Sequence, residues 1–252
     1  FFPDQELWLD DLTPAMCQRY YEELTKRLAV DTHRNVLVQV RTFLNWCVKK
    51  TWIETNPLDG VEGIGRRRHG KPQLRIDEAR KWMAAAVDYA NSGEVGAVVA
   101  MTALLLAMRA SEIVKRQVRD LDDGGRLLWI DDTKTEAGRR TLEVPAVLQP
   151  HLLRLAENRP AEQMLFGLHD RSFVRRWVRR ICTAAKVPMV CAHSMRGLHS
   201  TLSRERGITG EVVATALGHV DKRVTEQSYT RPEAISNAQQ RRVLEVLNGG
   251  RK

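Results

Sequence analysis

The chain has 252 residues, 43% hydrophobic and 28% charged, an ordinary globular balance that excludes wholesale disorder. At 28.7 kDa, folding takes about three quarters of the unfolded surface out of water, so the core needs neither a disulfide nor a metal staple. Forty lysines and arginines against 31 aspartates and glutamates leave a net +9, which favours a polyanionic partner such as nucleic acid or an acidic membrane surface.

The chain opens FFPDQELW, with neither a methionine nor a signal-peptide layout, as expected of an N-terminally trimmed chain. Thr13 followed by Pro14 is an N-cap with proline at the first helical position, and predicts a helix over 14–28. A second helix is predicted over 32–50, where Val36, Leu37, Val40, Phe43, Leu44, Cys47 and Val48 recur with a 3.6-residue period. Lys49 and Lys50 suit its negative C-terminal end. Residues 60–72 form the one seam, with four glycines and the block Arg66-Arg67-Arg68-His69-Gly70-Lys71. They read as a basic linker between a small helical domain, 1–59, and a larger one, 73–252. The simplest account of such a charge run is a solvated segment.

Beyond the seam, helices are predicted over 77–89 and 94–108. The second carries a fourteen-residue uncharged stretch, 95–108, too short for a bilayer and suited to a buried helix. Two β signals follow, at 127–130 and 141–144, with the polar stretch DDTKTEAGRR between them as the charged tip of a hairpin. Helices return at 146–158, 172–186, 194–206, 210–217 and 233–247. The fold class is therefore mainly α (α+β), a small helical domain plus a larger helical domain with a small antiparallel β-sheet. Cys17, Cys47, Cys182 and Cys191 show no CxxC spacing and read as reduced, mostly buried thiols.

Several polar residues stand where a core would not want them. Arg109 directly follows the buried run, in LLLAMRASEI, and a guanidinium there is costly unless an anion meets it. Glu112 could be that partner in a purely structural pair. Lys134 in the hairpin tip is most simply a solvated lysine. His193 and Arg196 are three apart and share a face near a helix N-terminus, which favours phosphate. His219 ends TALGH, and Tyr229 lies in the polar stretch QSYTRP. Taken in order, Arg109, Lys134, His193, Arg196, His219 and Tyr229 supply every role needed to break a phosphodiester without metal. The arginines can fork onto non-bridging oxygens, the tyrosine is an oxygen nucleophile, and histidine and lysine can move protons. No carboxylate cluster is spaced to hold two metal ions.

AMRASEI, KTEAGRRTLEVP, AHSMRGLHSTL, ALGH and SYT resemble, in that order, the active-site boxes of the tyrosine recombinases, the phage-integrase family. The resemblance spans nearly the whole chain. Residues 32–56 with NPLDGV look like the family's helical core-binding domain, and 72–248 like its catalytic domain; the family's first N-terminal helix is missing before Phe1. The resemblance implies that Arg109, Arg196 and His219 stabilise phosphate, Lys134 is the general acid, His193 the acid/base histidine, Glu112 a supporting acid and Tyr229 the nucleophile. The chain departs from the family pattern in three ways. Ala107 stands where glycine is frequent, Gly197 where a bulkier residue is common, and ten residues separate His219 from Tyr229, one more than is typical.

By the same resemblance the protein is a site-specific DNA recombinase or integrase, cutting and rejoining strands through a 3′-phosphotyrosyl link without ATP, cofactor or metal. Its partners are double-stranded DNA, further copies of itself as a tetramer on paired sites, and accessory DNA-bending proteins. No membrane is involved, and the location is cytoplasmic, at the nucleoid. In 172–186, Val174, Trp177, Val178 and Ile181 form one stripe, with Arg171, Arg175, Arg176, Arg179 and Arg180 opposite. Arg66, Arg67, Arg68, Lys71, Arg175, Arg176 and Arg179 are the expected DNA contacts, to phosphates rather than bases. Residues 233–247 carry Ile235, Ala238, Val243, Val246 and Leu247, a stripe that docks on a neighbouring protomer in such recombinases or packs on its own domain. The alternatives are a type IB topoisomerase or a DNA-binding module without catalysis. The intact set of six argues against the last.

Overall fold

The computed structural model describes residues 8–67, 70–131, 139–218 and 225. The chain divides into two compact units, Phe1–Arg68 and His69–Lys252.

In the first unit, α1 (Pro14–Arg27) starts as its sequence predicts, with the Thr13 hydroxyl accepting from the Met16 N–H at 3.2 Å and proline in the first turn. Helix α2 (Val30–Lys49) packs against it around Cys17, Tyr21, Leu37, Leu44, Leu58 and Val61. The buried Tyr21 hydroxyl is satisfied by His33 Nδ1 at 2.9 Å and by the Ile64 N–H at 3.1 Å. Arg41 donates to the carbonyls of Leu58 and Val61, and Arg34 to that of Gly65 at 2.5 Å. These bonds tie residues 60–65, which the sequence marks as the start of a linker, onto the first unit. The exposed basic run begins after them, at Arg66 and Arg67.

The second unit is built on α4 (Val95–Leu105), whose residues from Gly96 to Leu104 are all buried. Around it pack α3 (Ile76–Asn91), α7 (Arg171–Ala184) and α8 (Ala192–Glu205). A helix apolar on every side requires partners on every side, and this one has them. Strands β1 (Leu121–Asp122), β2 (Leu127–Ile130) and β3 (Arg140–Glu143) form an antiparallel sheet in that order, with Leu127 opposite Glu143 and Ile130 opposite Arg140. Strand β2 has its predicted bounds; β3 begins one residue early, and the two-residue β1 carries no strand signal of its own in the sequence. Helix α6 (Gln149–Ala156) starts three residues later than its pattern suggests, because Pro150 fits only the first turn of a helix. The four-residue α5 (Ala110–Ile113) and α9 (Gly210–Leu217) complete the described helices. The helix expected over 233–247 lies outside the described residues. All four cysteines are free thiols, and Cys17, Cys47 and Cys182 are buried.

A close helix–helix approach is made possible by Gly96. A Cβ there would lie 1.9 Å from the indole nitrogen of Trp177 on α7, inside any possible contact. Trp177 is itself wedged between Tyr89 and Phe173, with ring centroids 5.8 and 6.4 Å away. Gly96→Ala should therefore overpack this contact and cost about 1–3 kcal/mol, seen as a lowered urea midpoint. An unchanged midpoint would mean that the indole has room to move.

Candidate active site

The site is organised by the turn that ends α4. Leu106, Ala107 and Met108 are buried, and Ala107 takes a left-handed backbone with φ of 50°. This turn ends α4 at Leu105, three residues before the predicted end, and makes Arg109 the N-cap residue of α5. Arg109 is thus at the start of a new helix rather than the end of the buried one. Glu112, at the third position of α5, accepts the Arg109 backbone N–H on Oε2 at 2.8 Å and the Arg109 Nη1 on Oε1 at 2.6 Å. Its carboxylate fixes both the backbone and the side chain of Arg109. The Arg109 side chain remains 36% exposed, open to an anion from solvent.

Two arginines with no distinguishing signal in their immediate sequence lock this corner to the sheet. Arg140 Nη2 reaches Glu112 Oε2 at 3.1 Å, and both side chains are buried. Arg116, also buried, donates from Nε to the Glu112 carbonyl at 3.0 Å and from Nη1 to the Trp129 carbonyl at 2.7 Å, with Asp120 Oδ2 at 3.1 Å. Burial pushes the Glu112 carboxyl up, but the Arg140 charge, the Arg109 N–H and the side-chain bonds from both arginines outweigh it, holding the group below the ordinary glutamate value. The one available hint for Arg140 is the alternation of β3, which places Arg140, Leu142 and Val144 on the inward face.

Arg196, on α8, is almost wholly buried and donates from Nη1 to the Ala107 carbonyl and from Nη2 to the Leu217 carbonyl. These two bonds join the Arg109 turn to the C-terminal end of α9. His193, one helical turn before Arg196, is exposed to solvent on one side. Partial desolvation, then the charges of Arg196, Lys71 and Arg109, hold its imidazole below the usual histidine value, which favours the neutral form at pH 7. Lys71, expected to contact DNA, also places its charge near His193.

Arg109, Glu112, His193 and Arg196 are therefore brought together. Lys134, His219, Tyr229 and Arg68 lie outside the described residues. Of the described segments next to them in the chain, β3 bonds Glu112 through Arg140 and α9 bonds Arg196 through the Leu217 carbonyl. Arg175, Arg176 and Arg179 are exposed on α7, whose opposite face packs on α3 and α4. Arg176 stacks over Phe173, 5.9 Å from its centroid. Among the described residues, no group of three histidines, cysteines or carboxylates could hold a metal ion, and no helix is long and apolar enough to cross a membrane.

Left-handed backbone costs a residue bearing a Cβ about 1–2 kcal/mol, which offsets the usual entropic penalty of introducing glycine, about 0.4–1 kcal/mol. Ala107→Gly should leave stability unchanged or slightly raised, whereas Ala100→Gly inside α4 should lower it by about 1 kcal/mol or more. Equal losses at both positions in urea unfolding would refute the strain at Ala107.

The family model for the phage integrase family matches residues 72–234. The tyrosine recombinase XerC of Mycobacterium sp. (strain KMS) is 28% identical over 232 residues, covering 82% of this chain and 75% of that protein. Among solved structures, the Tn1549 transposon integrase in complex with circular intermediate DNA superposes with a TM-score of 0.73 at 13% identity, covering 94% of this chain and 86% of that one. A lambda integrase tetramer bound to a Holliday junction gives 0.66 at 16% identity, covering 85% of this chain and 66% of that one. With the family model matching well over half of its length, the chain belongs to the phage integrase family of tyrosine recombinases.

Proposed function

We infer that this recombinase cuts one DNA strand by attack of the Tyr229 hydroxyl on the scissile phosphorus. The bond to the 5′ oxygen breaks, leaving a 3′-phosphotyrosyl link, and the strand is rejoined to a new partner by the reverse step. His193, in its neutral form, accepts the tyrosine proton; Lys134 protonates the departing 5′ oxygen; Arg109, Arg196 and His219 offset the charge that builds on the phosphate. The observation that carries this reading is the convergence of Arg109, Glu112, His193 and Arg196 on one buried turn, with the solvent-open guanidinium of Arg109 at its edge. The first unit takes the role of a core-binding domain on duplex DNA, the second that of the catalytic domain. The lambda integrase tetramer on a Holliday junction supports assembly of four copies on paired sites, with the segment after Tyr229 docking between protomers. Accessory DNA-bending proteins and action in the cytoplasm at the nucleoid complete the proposal.

The test needs a DNA site, which can be selected from a random duplex pool by binding to Tyr229→Phe. On that duplex, nicked near its centre, the unaltered protein should form a complex that survives denaturing electrophoresis. Tyr229→Phe should bind without forming it. Arg109→Ala should cut slower by about 10²–10³-fold, with Arg109→Lys rescuing little because a point charge cannot reproduce the guanidinium fork. Covalent trapping by Tyr229→Phe, or normal cutting by Arg109→Ala, would overturn these roles. Arg196→Ala is a poorer test, since losing the two carbonyl bonds also loosens the turn and α9.

The exposed arginines of α7 generate a separate expectation. Arg175→Gln with Arg179→Gln should weaken binding to the selected and to unrelated duplexes alike. The plot of log affinity against log salt should flatten by about 0.9 for each phosphate that is no longer neutralised. Weakening confined to the selected sequence would indicate base readout instead.

A further inference from the structure

We propose that Arg140 is a positioning residue for strand cleavage, holding the Arg109 guanidinium in its working orientation through the carboxylate they share on Glu112. The proposal rests on the role of Arg109 given above. Arg140 stands at the start of β3, opposite the buried Ile130, so its side chain leaves the sheet on the inward face. There Nη2 meets Glu112 Oε2 at 3.1 Å, with 8% and 6% of the two side chains exposed. The same Oε2 accepts the Arg109 backbone N–H, and Oε1 accepts Arg109 Nη1. One carboxylate therefore has its plane set by a cation from the sheet and, in turn, sets the cation at the site.

Stability alone does not account for this arrangement. A buried ion pair is often no more stabilising than a well-packed apolar pair of the same volume, because desolvation cancels most of the attraction. What it adds is direction: the guanidinium and carboxylate planes constrain one another, and a misplacement of about 1 Å at a reacting group can cost about 10²-fold in rate. Among the described residues, removing Arg140 leaves the Glu112 carboxylate with Arg109, whose side chain is open to solvent and free to turn with it. The other charged groups around Glu112 do not replace the contact. Arg116 bonds the Glu112 main-chain carbonyl and pairs with Asp120, while the groups acting on the Glu112 carboxyl are Arg140 and Arg109.

The test compares Arg140→Gln and Arg140→Lys with the unaltered protein in single-turnover covalent trapping on the selected nicked duplex. Binding, melting temperature and the pH profile of cutting are followed in parallel. Arg140→Gln should cut about 10–10²-fold slower while binding the duplex equally well. Removing the cation lets burial dominate at Glu112, so its carboxyl is protonated at higher pH and the acidic limb of the profile moves upward. Arg140→Lys keeps the charge and should keep the limb in place, with part of the rate restored. Glu112→Gln should abolish the limb shift, and adding Arg140→Gln to it should slow cutting no further. The proposal is overturned if Arg140→Gln cuts at the normal rate with an unmoved limb while Arg109→Ala is slowed as expected, or if the Glu112 and Arg140 effects multiply. Were Arg109→Ala itself to cut normally, the role of Arg109 would fail, and this proposal with it.

Discussion

A guanidinium removed from water must have its donors met, because desolvating it unpaired costs several kcal/mol. Arg196 meets that requirement with two backbone carbonyls from distant parts of the chain, one in the turn before Arg109 and one at the end of α9. The need to satisfy one buried side chain therefore fixes where three segments stand relative to each other. The turn can present its carbonyl only because Ala107 leaves the helical region, and the same departure turns Arg109 outward at the head of α5. Around this bond the rest of the site follows.

The second tier of the site is a chain of charge. From the sheet inward it runs Arg140, Glu112, Arg109, with Arg116 fastening the α5 main chain to β2 alongside. Each link is short, and the Arg140–Glu112 link is buried, so its field is little screened by salt. Two titratable groups register these surroundings: the cations hold Glu112 below the ordinary glutamate value in spite of its burial, and desolvation first, then the same kind of charge, holds His193 below the usual histidine value. For a phosphodiester reaction this is a useful division. A neutral imidazole can take a proton, and a fixed guanidinium can meet developing negative charge without rearrangement.

The scaffold that holds these tiers rigid is α4, enclosed by α3, α7 and α8 with no polar face. Its fit against α7 depends on a glycine where the Trp177 indole crosses. The same α7 that seals the core inward carries Arg175, Arg176 and Arg179 outward. One amphipathic helix thus joins core packing to an exposed basic surface.

Much was determined by the sequence alone. Local rules sufficed for the elements whose causes are local: the Thr13–Pro14 start of α1, the all-apolar α4, the strand Leu127–Ile130 and the Gly210–Leu217 helix with its left-handed Gly218. The ordered set Arg109, Glu112, His193 and Arg196 was also legible, since each lies in a short box whose residue types carry their own chemistry. Tertiary structure decided what depends on contact between segments far apart in the chain. No local pattern says that Arg196 bonds two distant carbonyls, that the charge of Lys71 acts on His193, or that residues 60–65 are bound to the first unit by Arg34 and Arg41. Arg140 reads in sequence as one more charge in a polar hairpin; only the sheet register and the position of α5 turn it inward onto Glu112. Propensity and periodicity act over a turn or a strand, whereas the partner of a buried charge is chosen by whatever the fold brings within about 3 Å.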